Sequence, residues 1–164
     1  GLAWGAGVPV LPVDTLLAVA EAARQSLGTA PAALRVLALL DARMGEVYAA
    51  GYAWSPADGW QALADAAVLP PEAVAVPPPS TLLAGNAAAV YADRLPAAVL
   101  ALPRADVLPT ADALLSLAPA LLAAGRAVPA EQALPLYIRD KVAQTTAERA
   151  AARSGAGHLA GISP

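Results

Sequence analysis

The spacing of apolar residues changes several times along the chain, and each change marks an element. Residues 8–13 read as a short extended segment punctuated by Pro9 and Pro12. From Asp14 or Thr15, the positions Leu16, Val19, Ala20, Ala23 and Leu27 fall at helical spacing, and Gly28 supplies a stop. After a loop, residues 36–41 form an apolar run that ends at Asp41, the pattern of a strand buried on both faces. Alternation restarts at Val47. Tyr48, Ala50, Tyr52 and Trp54 share one face of that strand, and Val47, Ala49, Gly51 and Ala53 share the other. The segment between the two runs therefore reads as the tight turn of an antiparallel hairpin. It gathers three charged residues, Asp41, Arg43 and Glu46, at the hairpin mouth.

Farther on, Ser55 to Gly59 is a turn by composition and residues 60–63 make a third strand of the meander. Pro70, Pro71 and Glu72 start a short helix, since proline is tolerated in a first turn. The run Val76-Pro77-Pro78-Pro79-Ser80 is a stiff connector. A strand over 81–84, a Gly85-Asn86 turn, a helix from about Ala87 to Leu95 and a strand over 99–102 predict a β-α-β unit. Thr110 caps a further helix that stops near Gly125, with Asp112 in its first turn. Pro119 is expected to kink or split that helix, because its ring removes a donor and crowds the preceding turn. Residues 129–139 read as extended or irregular, 144–153 as a possible helix and 154–164 as a disordered tail. The class is α/β, with a mixed sheet built from an antiparallel meander followed by β-α-β, and flanking helices.

Composition narrows the picture. At 164 residues, one domain with a real core is expected, and Ala supplies much of the 58% hydrophobic content. No apolar run reaches the roughly 18 residues that a membrane span needs, so no membrane role is expected. A net charge of −3 without a basic cluster argues against direct grip on nucleic acid. The absence of Cys excludes disulfides and thiolate metal sites, and fits a cytoplasmic protein. Gly1 to Gly7 reads as the end of a helix running into a glycine stop, hence as the tail of an N-terminal lobe. The expected organisation is then 1–7, a lobe over 8–142, and a tail over 143–164.

Candidate chemistry is sparse. Gly85 and Asn86 follow a strand and open a helix, a geometry that can receive a phosphate, although an ordinary helix-capping turn has the same sequence. No Walker-type or Gly-x-Gly-x-x-Gly motif accompanies them. Asp41, Arg43 and Glu46 bind a ligand, contact a partner or hold the hairpin by an ion pair. A surface pair contributes only ~0–1 kcal/mol, so stability alone is a poor reason for the cluster. His158, the only histidine, has no companion ligands in its tail, which makes metal a poor expectation. Tyr137-Ile138-Arg139-Asp140-Lys141 is the last dense polar and aromatic patch, either a docking segment or a solvated turn. The Tyr48, Tyr52 and Trp54 stripe resembles a base-stacking surface, but without interleaved Lys or Arg it reads as a face packed under a helix.

Taken together, several motifs resemble the bacterial TsaB (YeaZ) family. They are Gly1-Leu2-Ala3-Trp4-Gly5, Pro12-Val13-Asp14-Thr15-Leu16, the Asp41-to-Tyr48 hairpin, Gly85-Asn86-Ala87 and Pro135-Leu136-Tyr137-Ile138-Arg139. The resemblance runs from Gly1 to about Val142, and the hairpin is its most specific part. It implies an actin-like ATPase (ribonuclease H-like) fold in a non-catalytic form, with the N-terminal lobe lacking. It also implies an accessory role in making N6-threonylcarbamoyladenosine on tRNA, beside the transferase TsaD and the ATPase TsaE. An older name, M22 glycoprotease-like, belongs to the same family. On this reading Asp41, Arg43, Glu46, Tyr137 and Arg139 hold the lobe's edge or touch a partner, and Gly85 and Asn86 are a vestigial nucleotide turn. No cofactor is expected on the chain itself, ATP or ADP entering only with the complex, and tRNA is reached through that complex. Two competing expectations stand beside it. One is a nucleotide-dependent transferase or hydrolase using the Gly85-Asn86 turn. The other is a self-associating module that dimerises through the Tyr/Trp face or the Thr110–Gly125 helix.

Overall fold

The computed structural model describes residues 1–29, 31–136 and 138. A single mixed sheet organises them. Its central strand β1 (Leu34–Asp41) pairs antiparallel with β2 (Val47–Ser55), from Leu34 opposite Trp54 to Asp41 opposite Val47. On its other side β1 runs parallel to β5 (Leu82–Ala84), with Ala38 opposite Ala84. The far edge of β2 carries two short antiparallel partners. β3 (Gly59–Ala62) lines its second half and β4 (Ala67–Leu69) its first. Beyond β5 lies β6 (Arg104–Ala105), again parallel.

Helices cover both faces. A short α1 (Leu2–Ala6) ends at Gly7 in the left-handed conformation, as its sequence predicts. In α2 (Thr15–Ser26) the Asp14 carboxylate caps the start, accepting from the Leu16 and Leu17 N–H groups. Its stripe of Leu16, Val19, Ala20 and Ala23 packs on Val36, Ala38, Ala50, Tyr52 and Leu82. That contact confirms the alternation in β2: Tyr52 is buried under a helix, and the stripe is no open surface for a base or a second copy. The opposite face buries Leu37, Leu39, Val47, Ala49 and Leu83 against Ala87, Ala88, Tyr91, Leu95, Val99 and Leu102.

The β-α-β unit exists, with its parts placed differently. The helix expected over 87–95 is only one turn, α3 (Ala87–Val90). The apolar run expected as a strand over 99–102 belongs instead to α4 (Ala97–Leu100) and the residues that leave it. Pro96 sets the start of that turn, and Val99 points into the core. The returning strand is the two-residue β6, too short to leave a pattern. β4 also escapes the sequence reading, its three residues carrying no clear alternation. Pro71–Ala73 forms the expected short helix, as a 3-10 turn. α5 (Ala111–Ala123) starts on the Thr110 hydroxyl, which accepts from the Ala113 N–H, and it passes through Pro119 unbroken. Pro119 lies on the exposed side, where water can serve the carbonyl left without a donor. Val10 and Val128 exchange two backbone hydrogen bonds of 2.8 Å, tying the early extended segment to the chain after α5. Tyr137, Arg139 and the tail expected over 143–164 lie outside the described residues.

One charged residue ties the α2 layer together. Glu21 is only 2% exposed, and its carboxylate accepts from Arg24 Nε and Nη2 at 2.8 and 2.7 Å. Gln25 Nε2 donates at 3.1 Å, Trp60 Nε1 at 2.9 Å and Ser116 Oγ at 2.7 Å. One side chain therefore joins α2, β3 and α5. The Arg24 guanidinium also lies 4.8 Å over the Trp54 ring. Burial pushes the Glu21 carboxyl up, but hydrogen bonds from Arg24, Ser116 and Trp60 outweigh it and bring its pKa down to about 2.

A carboxyl lowered from 4.5 to about 2 stabilises the fold fully above pH 4.5, and that contribution disappears as pH falls toward 2. The shift corresponds to about 3 kcal/mol. Glu21→Gln should therefore lower stability by roughly that amount at neutral pH. It should also flatten the fall in stability between pH 4.5 and 2, both measurable by urea unfolding across a pH series.

Candidate functional site

The hairpin and the Gly85-Asn86 turn, separate motifs in the sequence, meet in the fold. The parallel strands β1 and β5 end side by side, so the chain leaving Ala84 passes directly along the end of β1. Gly85 permits that passage. Its φ is 109°, and a Cβ there would lie 2.1 Å from the Leu39 carbonyl oxygen. One residue later, the Asn86 side chain reaches across. The backbone N–H of Asp41 donates to Asn86 Oδ1 at 2.9 Å.

That bond gives Asn86 a different role from either sequence expectation. Its side chain makes no cap on α3. Instead it satisfies the last strand residue of β1, where the ladder gives way to the turn.

Asp41 carries the next layer. Its Oδ1 accepts from the Tyr91 hydroxyl at 2.7 Å and from the Arg43 N–H at 2.8 Å, while Oδ2 lies 3.5 Å from Arg43 Nη1. The Tyr91 hydroxyl, then the Arg43 N–H, hold the Asp41 carboxyl below the usual carboxylate range. The same bond raises the Tyr91 phenol. Of the three sequence-expected residues here, Asp41 and Arg43 do meet. Glu46 contributes its backbone, its carbonyl accepting from Ala42 N–H at 2.9 Å and its N–H donating to the Arg43 carbonyl at 3.1 Å.

The tip itself is unusual. Arg43, Met44 and Gly45 are consecutively left-handed, with φ of 63°, 55° and 76°. For the two non-glycine residues that conformation costs about 1 kcal/mol or more each, and it persists where surrounding contacts impose it. Arg94 is one such contact. Its Nη1 donates to the Gly45 carbonyl at 3.1 Å, while Nε and Nη2 grip Glu72 in a two-pronged pair at 2.6 and 3.0 Å. The hairpin is thus held from its root by Asn86 and Tyr91, and from its tip by Arg94.

Sequence reasoning missed Tyr91, Arg94 and Glu72. Tyr91 and Arg94 follow the Gly85-Asn86 turn three residues apart, a spacing that places two side chains on the same side of a helical turn. That was the available signal. Glu72 offered none, since its partner lies 22 residues away. Among the described residues, no group of three or more His, Cys, Asp or Glu is arranged to hold a metal ion.

Two substitutions test this arrangement. Asn86→Ala leaves the Asp41 N–H without its acceptor and should cost about 1–3 kcal/mol in urea unfolding. Tyr91→Phe should raise the Asp41 pKa toward the ordinary carboxylate range, read by NMR titration. Because the Asp41 carboxyl is depressed, its contribution is present above the ordinary range and lost as pH falls; Tyr91→Phe should shrink that acid-side loss.

Comparison with known proteins fits this geometry. A family model described as TsaD: tRNA N6-adenosine threonylcarbamoyltransferase matches residues 1–147. The Escherichia coli (strain K12) tRNA threonylcarbamoyladenosine biosynthesis protein TsaB is 46% identical over 74 residues, which cover 45% of this chain and 30% of that protein. The structure of YeaZ from Pseudomonas aeruginosa superposes with a TM-score of 0.71 at 40% identity, over 84% of this chain and 62% of its own. A second Pseudomonas aeruginosa structure, described as similar to peptidase YeaZ, gives 0.72 at 40% identity, over 85% and 63%. The chain therefore spans less than two thirds of the length of these relatives. It belongs to the family that the TsaD model describes, and within it to the TsaB/YeaZ group, whose actin-like fold it carries.

Proposed function

We propose that the chain is part of a non-catalytic accessory subunit of the machinery that builds N6-threonylcarbamoyladenosine on tRNA. Its partners on this reading are a TsaD-type transferase and the ATPase TsaE, and tRNA is reached through their complex. The name of the Escherichia coli relative supports the process. The accessory role rests on one observation: the polar groups at the hairpin are turned toward one another. A general base or a phosphate cradle needs lone pairs or N–H groups directed at a substrate. Here Asp41 Oδ1 receives Tyr91 and Arg43, and Asn86 Oδ1 receives Asp41. Gly85 is pressed against the Leu39 carbonyl, so its lack of a side chain serves β1, not a ligand.

This reading assigns ATP or ADP to the assembled complex and not to the chain alone. It also leaves room for a homodimer as a resting state. A cytoplasmic location follows from work on tRNA, and no helix among the described residues is long and apolar enough to cross a membrane.

Reconstitution tests the proposal. Unmodified tRNA, the threonylcarbamoyl donor, the TsaD-type transferase and TsaE are incubated with and without the protein, and the modified adenosine is quantified by mass spectrometry. The modification should depend on the protein, which should co-elute with the transferase and form no product alone. Modification unaffected by its omission, together with no co-elution, would contradict the role. ATP turnover by the protein unaided would favour the nucleotide-dependent enzyme instead.

A further inference from the structure

The brace around the hairpin explains why the tip holds its shape, but not what the tip presents. Arg43 keeps an 87% exposed side chain despite its ion pair with Asp41, and Met44 is 72% exposed. Both sit in left-handed backbone that glycine or asparagine would occupy with less strain. A long apolar side chain and a guanidinium are thus displayed outward, side by side, on a turn fixed at root and tip. Such a turn loses little freedom on binding, which is what a preorganised contact requires.

We propose that this tip is a protein-docking prong: Met44 enters an apolar socket on the partner, and Arg43 pairs with a carboxylate at the socket's rim. The proposal rests on the accessory-subunit reading and takes the TsaD-type transferase as the partner. Methionine's unbranched thioether adapts to irregular apolar sockets. Methionine and arginine are both enriched at protein interfaces. A nucleic-acid backbone is the poorer occupant. The carboxylates of Asp41 and Glu46 flank the same turn, the chain's net charge is −3, and the nearby Arg94 is already paired with Glu72.

The experiment measures affinity of the protein for the purified transferase by calorimetry, with Met44→Gly and Arg43→Glu as variants and thermal unfolding as a control. Met44→Gly removes the displayed side chain and relieves its backbone. It should leave the melting temperature unchanged or raised while weakening affinity at least tenfold. Arg43→Glu should weaken affinity to a similar degree, and Arg43→Lys by less. Unaltered affinity in the folded Met44→Gly and Arg43→Glu variants overturns the prong while leaving the accessory role standing. No binding by the unaltered protein removes the accessory role and the prong with it. If the variants bind the transferase normally but the assembled complex loses tRNA, the tip contacts RNA and the inference is wrong.

Discussion

The hydrogen bond from the Asp41 N–H to Asn86 Oδ1 is the constraint on which the rest of this edge depends. It joins two turns separated by 45 residues, at the point where β1 and β5 end together. Gly85 makes it possible, because any side chain there would collide with the Leu39 carbonyl and push Asn86 out of reach. Once the root is fixed, Asp41 is oriented to receive Tyr91 and the Arg43 N–H, and the chain turns left-handed through the tip. Arg94 then closes the far side by holding the Gly45 carbonyl. A chain with few charges gathers several of them here, and most are used to shape backbone.

A second polar knot lies on the other face of the sheet. Glu21 collects donors from α2, β3 and α5, in a layer whose remaining contacts are small and apolar. Alanine-rich helices bury little area per residue and specify their packing weakly. A buried carboxylate with several donors fixes the orientation of α2 against α5 in a way that Ala20 and Ala23 cannot. The two knots thus solve one problem on opposite faces: they give geometric definition to a core short of large side chains.

The sequence carried the elements whose patterns are long enough to be periodic. The helical stripe of α2, the continuous run of β1 and the alternation in β2 were all legible, and so was the hairpin between the strands. Short pieces were not. β4 and β6 exist because a neighbouring strand offers an edge, and residues 99–102 turn helical because Pro96 fixes the entry and Val99 fills the core. The same division holds at the hairpin. Asp41 and Asn86 were visible as motifs, whereas their contact, and the roles of Tyr91, Arg94 and Glu72, depend on which turns the sheet brings together. Glu21 was hidden for the same reason: a lone acid beside an apolar stripe gains meaning only when Trp60 and Ser116 arrive.

Native-state hydrogen exchange at the Asp41 amide tests the central claim most directly. The residue ends a strand beside an exposed turn, where an amide bonded only to water exchanges quickly. The account predicts protection comparable to the Leu39 amide inside the sheet, and its loss in Asn86→Ala while Leu39 stays protected. Rapid exchange at Asp41 in the unaltered protein, matching the exposed amide of Met44, would contradict it.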